Sequence, residues 1–197
     1  KIEQVLGKGK IVGTERPSSM AIRSTTTNKI FFAGANGDFF VTQGDVGLPV
    51  STTIVNDEYA HTPVANRTAR RLGAIDADGR GITAIQHAIS MQVILADNTV
   101  LDIAHANYNR KENELVIYNA HNGTTTGTNA YGTEVQIELL EGEKWQTTGT
   151  MRARVTKVED QVGSMPLDKN HAVLSGHGTM ATELKKLSVG DELTLQF

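Results

Sequence analysis

Cysteine is absent from the 197-residue chain, which excludes disulfides, a thiolate zinc site and a cysteine nucleophile. Charge of one sign is not in excess either. Lys and Arg number 19 against 22 Asp and Glu, for a net charge of −3. Nothing in that balance points to nucleic acid or to an anionic membrane surface. The pairs Arg70-Arg71 and Lys185-Lys186 read as solvated faces. No apolar run approaches the roughly 18 residues that a transmembrane helix needs. Internal repeats and low-complexity segments are also lacking. No signal peptide is visible. The chain opens on Lys1 rather than Met, so the expectation is a processed product whose leader has been removed.

What is present reads as a mainly β chain of one domain, or of a domain with a modest second lobe. Hydrophobic residues make up 39% and glycines number 19. Apolar residues alternate with period two in several runs. Ile89, Met91, Val93 and Leu95 alternate. The turn residues 96–99 then lead into a returning strand over 100–106, which makes a hairpin. Strands are expected over 115–118, 133–140, 149–158, 171–174 and 192–197. Met151, Ala153 and Val155 alternate with Arg152, Arg154 and Thr156. Helix is scarce: 179–187, opened by Thr179 as a cap, and a second short one over 65–71. Turns fall at Asn36-Gly37, Asp78-Gly79, Asn122-Gly123 and Gly190-Asp191. The expected fold is a mixed or antiparallel β-sheet with a meander or barrel-like module and one or two short helices. A loose boundary near Arg80 separates an N-terminal part, 1–80, from a β-rich module, 81–197.

Aromatics are rare, at 5% of the chain, yet four of the five Phe lie in the stretch FFAGANGDFF, residues 31–40. Asn-Gly between apolar runs is a hairpin signal, because both residues tolerate positive φ. On that reading Phe31, Phe32, Phe39 and Phe40 form core or cross-strand pairs. A tight turn offering an amide and a carboxylate beside aromatic walls also suits a polar small molecule. Asp38, Asp45, Asp57 and Glu58 lie close together in sequence, and paired carboxylates are what glycoside cleavage uses. The six histidines show no helical metal-ligand spacing. No metal and no cofactor is expected. Ser175 to Gly178 does not form a nucleophile elbow. It reads as a turn into a helix, with His177 as a surface-loop candidate for ligand binding. The Gly-Thr-rich run 123–129 reads as an inter-strand loop whose amides can face an anion.

The ordered set GANGDFF, Gly44, Gly47 to Pro49, Ile54 to Glu58 and Arg71 to Gly79 resembles the N-terminal half of the phosphodiester glycosidase family. Tyr118, Thr126 to Asn129, Gly132 to Glu134, Ser175 to Gly178 and Leu187 to Asp191 resemble the β module inserted in its bacterial members. The family's later Asn-Leu-Asp-Gly-Gly-Gly-Ser run does not occur here. The resemblance therefore implies a piece of an enzyme or a protein without the second half, and whether the native protein continues past Phe197 stays open. The implied activity is hydrolysis of a sugar-1-phosphodiester in cell-envelope or exopolysaccharide metabolism, outside the cytoplasm. Asp38 and Glu58 would be the catalytic carboxylates. Asn36 and Gly37 would meet the sugar, and Phe39 and Phe40 would shape the wall. The implied partner is a carbohydrate or sugar phosphate. The alternative is a non-catalytic glycan-binding or scaffold module of the cell envelope.

Overall fold

The structure is a computed structural model that describes residues 3–37, 39–62 and 89–197 in full, and the backbone of 71–75 and 81–86. It is mainly β, as the alternating runs lead one to expect. After a 3-10 turn at Gly7–Gly9 come a helix α1 (Pro17–Ser24) and a hairpin of β1 (Thr53–Val55) and β2 (Glu58–His61). A second two-stranded ribbon follows, β3 (Arg71–Ile75) with β4 (Gly81–Gln86). The remainder is built from β5 (Gln92–Ile94), β6 (Val100–Asp102), β7 (His105–Ala106), β8 (Leu115–Tyr118), β9 (Thr133–Leu139), β10 (Thr150–Asp160), β11 (His171–Gly176), α2 (Thr179–Leu184) and β12 (Glu192–Gln196).

These later strands form one eight-stranded sheet in the order β6-β5-β12-β10-β9-β11-β8-β7. Its pairs are antiparallel except β7 with β8, which is parallel. The expected returning strand over 100–106 is present but divided. Val100–Asp102 pairs with β5 at one end of the sheet, while His105–Ala106 pairs with β8 at the other. Ile103 and Ala104 join the two halves and donate to the carbonyls of Met91 and Leu115. One short run thus bridges both ends of the sheet and curls it into a barrel-like module.

The period-two pattern fills the interior. On β10, Met151, Ala153 and Val155 are buried while Arg152 and Arg154 face solvent. A register shift between Val155 and Lys157 then ends the strict alternation, and the Thr156 hydroxyl donates to the Gln136 carbonyl at 3.2 Å. On β8 every side chain is buried: Leu115 and Ile117 enter the main core, whereas Val116 and Tyr118 join Met165, Leu167 and Val173 in a second cluster. Helix α2 packs on β9 and β11 and adds Leu184 to the main core.

Thr179 opens α2, but no side chain of its N-cap residue caps it. The cap comes from far away in sequence: Asn113 accepts the Thr179 N–H at 2.9 Å. Asn113 itself sits at φ 61. The variant Asn113→Gly keeps that backbone and removes the acceptor. It is expected to cost about 1 kcal/mol, read as a lowered urea midpoint. Of the expected helix at 65–71, Arg71 instead begins β3, and the rest lies outside the described residues. The boundary near Arg80 lies outside them too. Helix α1 buries no residue and runs for only eight, too short a stretch for an apolar period to announce it in the sequence.

Candidate functional site

Among the described residues of the N-terminal part, a two-residue hairpin turn lies at Asn56-Asp57, while the expected turn at Asn36-Gly37 runs into Asp38, outside the described residues. Asn56 and Asp57 both adopt positive φ, 51° and 63°, between β1 and β2, as a type I′ hairpin requires. Residues 31–37 form no strand. The chain instead folds back over 41–48: Val41 and Gly47 N–H donate to the carbonyls of Leu48 and Val41. Gly44 and Gly47 supply left-handed positions there, at φ 72° and 95°. The expectation that the phenylalanines pack as core is corrected accordingly. Phe32 is 96% exposed and Phe39 79%. Phe31 lies under the Lys29 ammonium, 5.1 Å from the ring centroid. Phe40 bridges to Pro49 at the neck of the loop. The small core beneath belongs to Ile11, Leu48 and Ala60.

The Asn56-Asp57 turn delivers Glu58, the first residue of β2, to the His121 imidazole. Glu58 Oε2 lies 3.6 Å from His121 Nε2. Burial pushes the Glu58 carboxyl above its usual range and holds the His121 imidazole below its own. Both groups are thereby biased toward their neutral forms. Two asparagines fix β2 against the barrel. Asn107, at φ 50° and fully buried, donates to the Ala60 carbonyl at 2.9 Å and to Asn119 Oδ1 at 2.6 Å. Asn119 donates to the Tyr59 carbonyl at 3.1 Å.

A larger cleft, about 370 Å³, lies between the N-terminal segment and the barrel. Ile11, Asp45 and Leu48 line one wall, and Tyr108, Arg110 and Asn129 line the other. Tyr108 packs its ring against His61 and His105, with centroids at 5.7 and 5.1 Å. Its carbonyl accepts the Tyr118 hydroxyl at 2.6 Å, and burial raises that phenol well above its usual range.

Arg110 is held from below. Its guanidinium donates to Ser175 Oγ at 2.8 Å, to the Gly176 carbonyl at 3.3 Å and to the carbonyl and Oδ1 of Asn129 at 3.1 and 2.9 Å. The Ser175 hydroxyl in turn donates to Glu134 Oε1 at 2.8 Å. Glu134 is 1% exposed and also accepts from Thr128 at 2.8 Å, Thr126 at 3.2 Å and the Met165 N–H at 2.9 Å. The Gly-Thr loop 123–129 therefore turns two of its threonine hydroxyls, Thr126 and Thr128, onto a buried carboxylate, while Gly127, Thr128 and Asn129 border the cleft.

Of the residues singled out in the sequence, Asp45 and part of the Gly-Thr run, Thr126 to Asn129, line this cleft, whereas Glu58 and His177 do not. Asp38 lies outside the described residues. Asn36 and Gly37 are exposed. Phe39 and Phe40 stand at the neck of the loop whose Asp45 and Leu48 line the cleft. Glu58 borders a separate, much smaller depression with Asn119 and Trp145. His177 lies beyond β11, where its N–H donates to the Glu114 carbonyl at 3.1 Å. Sequence reasoning missed Tyr108 and Arg110. The available signal was a polar NYNR run, 107–110, directly after a buried strand. Among the described residues no three His, Asp or Glu side chains are placed to hold a metal ion.

No protein-family model and no curated protein matches the chain. Solved structures similar to it include two uncharacterised proteins. One is named "Putative exported protein", from Burkholderia pseudomallei K96243: 19% identical, TM-score 0.65, matching 98% of this chain and 42% of that one. The other is a hypothetical protein from Synechocystis, 17% identical with TM-score 0.52, matching 82% of this chain and 27% of that one. At these identities the likeness is one of fold. The chain spans less than half the length of either structure. Among the described residues no helix is long and apolar enough to cross a membrane.

Proposed function

We propose that the chain is part of an extracytoplasmic phosphodiester glycosidase-like protein that hydrolyses a sugar-1-phosphodiester in cell-envelope or exopolysaccharide metabolism. The observation that carries the reading is the Glu58 carboxyl, half-buried and biased toward its protonated form beside His121. A general acid of glycoside cleavage needs that property at neutral pH. In the proposed step Glu58 gives its proton to the bridging oxygen, and the bond from the anomeric carbon to that oxygen breaks. Water then adds to the oxocarbenium-like carbon and gives up a proton to a carboxylate base. The family resemblance assigns the second carboxylate to Asp38. An extracytoplasmic setting agrees with the name of the exported neighbour.

The test is Glu58→Gln in the protein as its source organism makes it, assayed for release of sugar from a sugar-1-phosphodiester. Loss of a general acid is expected to lower the rate about 10²–10⁴-fold. The pH profile should also lose its descending limb, because the active form of Glu58 is the protonated one. An unchanged rate removes Glu58 from the mechanism. The second reading, a non-catalytic glycan-binding module, is favoured by one observation: Glu58 does not line the larger cleft. Saturable sugar binding without turnover would select it.

A further inference from the structure

We propose that the cleft beside Tyr108 is a binding site for one neutral, polyhydroxylated ligand of the size of a glycosyl unit, and that it disfavours phosphate. The inference rests on the carbohydrate reading given above, but not on Glu58.

Size is the first argument. A volume of about 370 Å³ lies at the small end of ligand sites. The second is the set of polar groups not used up by the fold. Asn129 spends Oδ1 on Arg110 and on the Tyr131 N–H, which leaves its amide N–H groups to donate. Asn122 spends its amide on the carbonyls of Thr125 and Thr126, which leaves its oxygen to accept. The Asp45 carboxylate meets Asn109 at a long 3.4 Å. A carboxylate, an amide oxygen and amide N–H groups around one small space match hydroxyls, each of which both donates and accepts. The Tyr108 ring, wedged against two imidazoles, adds a rigid apolar wall for C–H groups.

Charge is the third argument, and it separates a sugar from an anion. Arg110 is the one cation among the described lining residues. Its two terminal nitrogens already make four hydrogen bonds, and the Glu134 carboxylate lies behind it through Ser175. Asp45 adds a negative group to the same space. A phosphate entering the cleft would meet a carboxylate on one wall and an engaged guanidinium on the other. A neutral polyol meets acceptors it can satisfy.

The test is a nuclear magnetic resonance titration of the 197-residue chain with glucose, N-acetylglucosamine and inorganic phosphate. At least one of the two sugars should shift the side-chain amides of Asn109, Asn122 and Asn129 saturably, and phosphate should leave them in place. Asp45→Ala, on an exposed loop, should weaken that sugar at least tenfold while the amide spectrum of β10 stays unchanged. Shifts with phosphate alone, or with none of the three probes, overturn the proposal, as does full affinity in Asp45→Ala. The outcome is separable from the hydrolysis reading. If no sugar binds while Glu58→Gln abolishes turnover, the cleft site fails and the hydrolase stands. If sugar binds while Glu58→Gln turns over normally, the reverse holds.

Discussion

Glu134→Ala is expected to destabilise the protein by about 2–5 kcal/mol, because it breaks a buried hydrogen-bond network at its common acceptor. The variant removes the acceptor of four donors at once: the hydroxyls of Thr126, Thr128 and Ser175 and the Met165 N–H. Hydroxyls can turn to other acceptors, but the backbone N–H cannot. It would be left buried and unsatisfied, at about 1–3 kcal/mol by itself. Arg110 would also lose the negative charge that compensates it through Ser175. The comparison that isolates the carboxylate is Ser175→Ala. It breaks the chain between Arg110 and Glu134 but leaves three of the donors in place, so about 1–3 kcal/mol is expected. Urea unfolding of the two variants and the parent gives both values. A Glu134→Ala cost below that of Ser175→Ala would mean that the network orders the loop without stabilising the barrel.

That network also marks where sequence reading stops. The strands of the barrel are legible because each side chain's burial follows from its own position in a period of two. Met151, Ala153 and Val155 announce their face without knowledge of any partner. What the alternation does not carry is pairing. Val100 to Ala106 reads as one strand, and nothing local says that its halves belong to opposite ends of the sheet. The same holds for the turn. Asn36-Gly37 and Asn56-Asp57 both carry residues that tolerate positive φ, and among the described residues only the second is flanked by strands that pair. The choice is made by the docking of β2 through Asn107 and Asn119, which come from elsewhere in the chain. Glu58 was legible as an acid close to the Phe-rich stretch, but its imidazole neighbour is sixty-three positions away in sequence. Arg110, Ser175 and Glu134 are likewise distant from one another. A site assembled from separated loops leaves only composition as its trace, here the run 107–110.

Gly47→Ala is expected to separate the N-terminal loop from the barrel at a cost of about 2–5 kcal/mol. Two effects add. Gly47 sits at φ +95°, where a side chain is strained. A Cβ there would also overlap the carbonyl group of Gly13 and stand 2.7 Å from its nitrogen, and backbone cannot swing aside as a flexible side chain does. Gly44→Ala separates the two contributions. It has the same kind of conformation, φ +72°, with nothing within 4 Å of the added carbon. It should therefore cost only the conformational part, about 1–2 kcal/mol. The damage from Gly47→Ala should be local, since Gly13 and Gly47 belong to the segment that holds Ile11 and Leu48 over the cleft. Amide hydrogen exchange reads this directly. The N–H groups of Ile11, Val41 and Gly47, bonded to the carbonyls of His121, Leu48 and Val41, should lose protection. Those of β10 should keep it. Equal loss in both regions would show instead that the loop and the barrel unfold as one unit, and that the cleft is as stable as the core behind it.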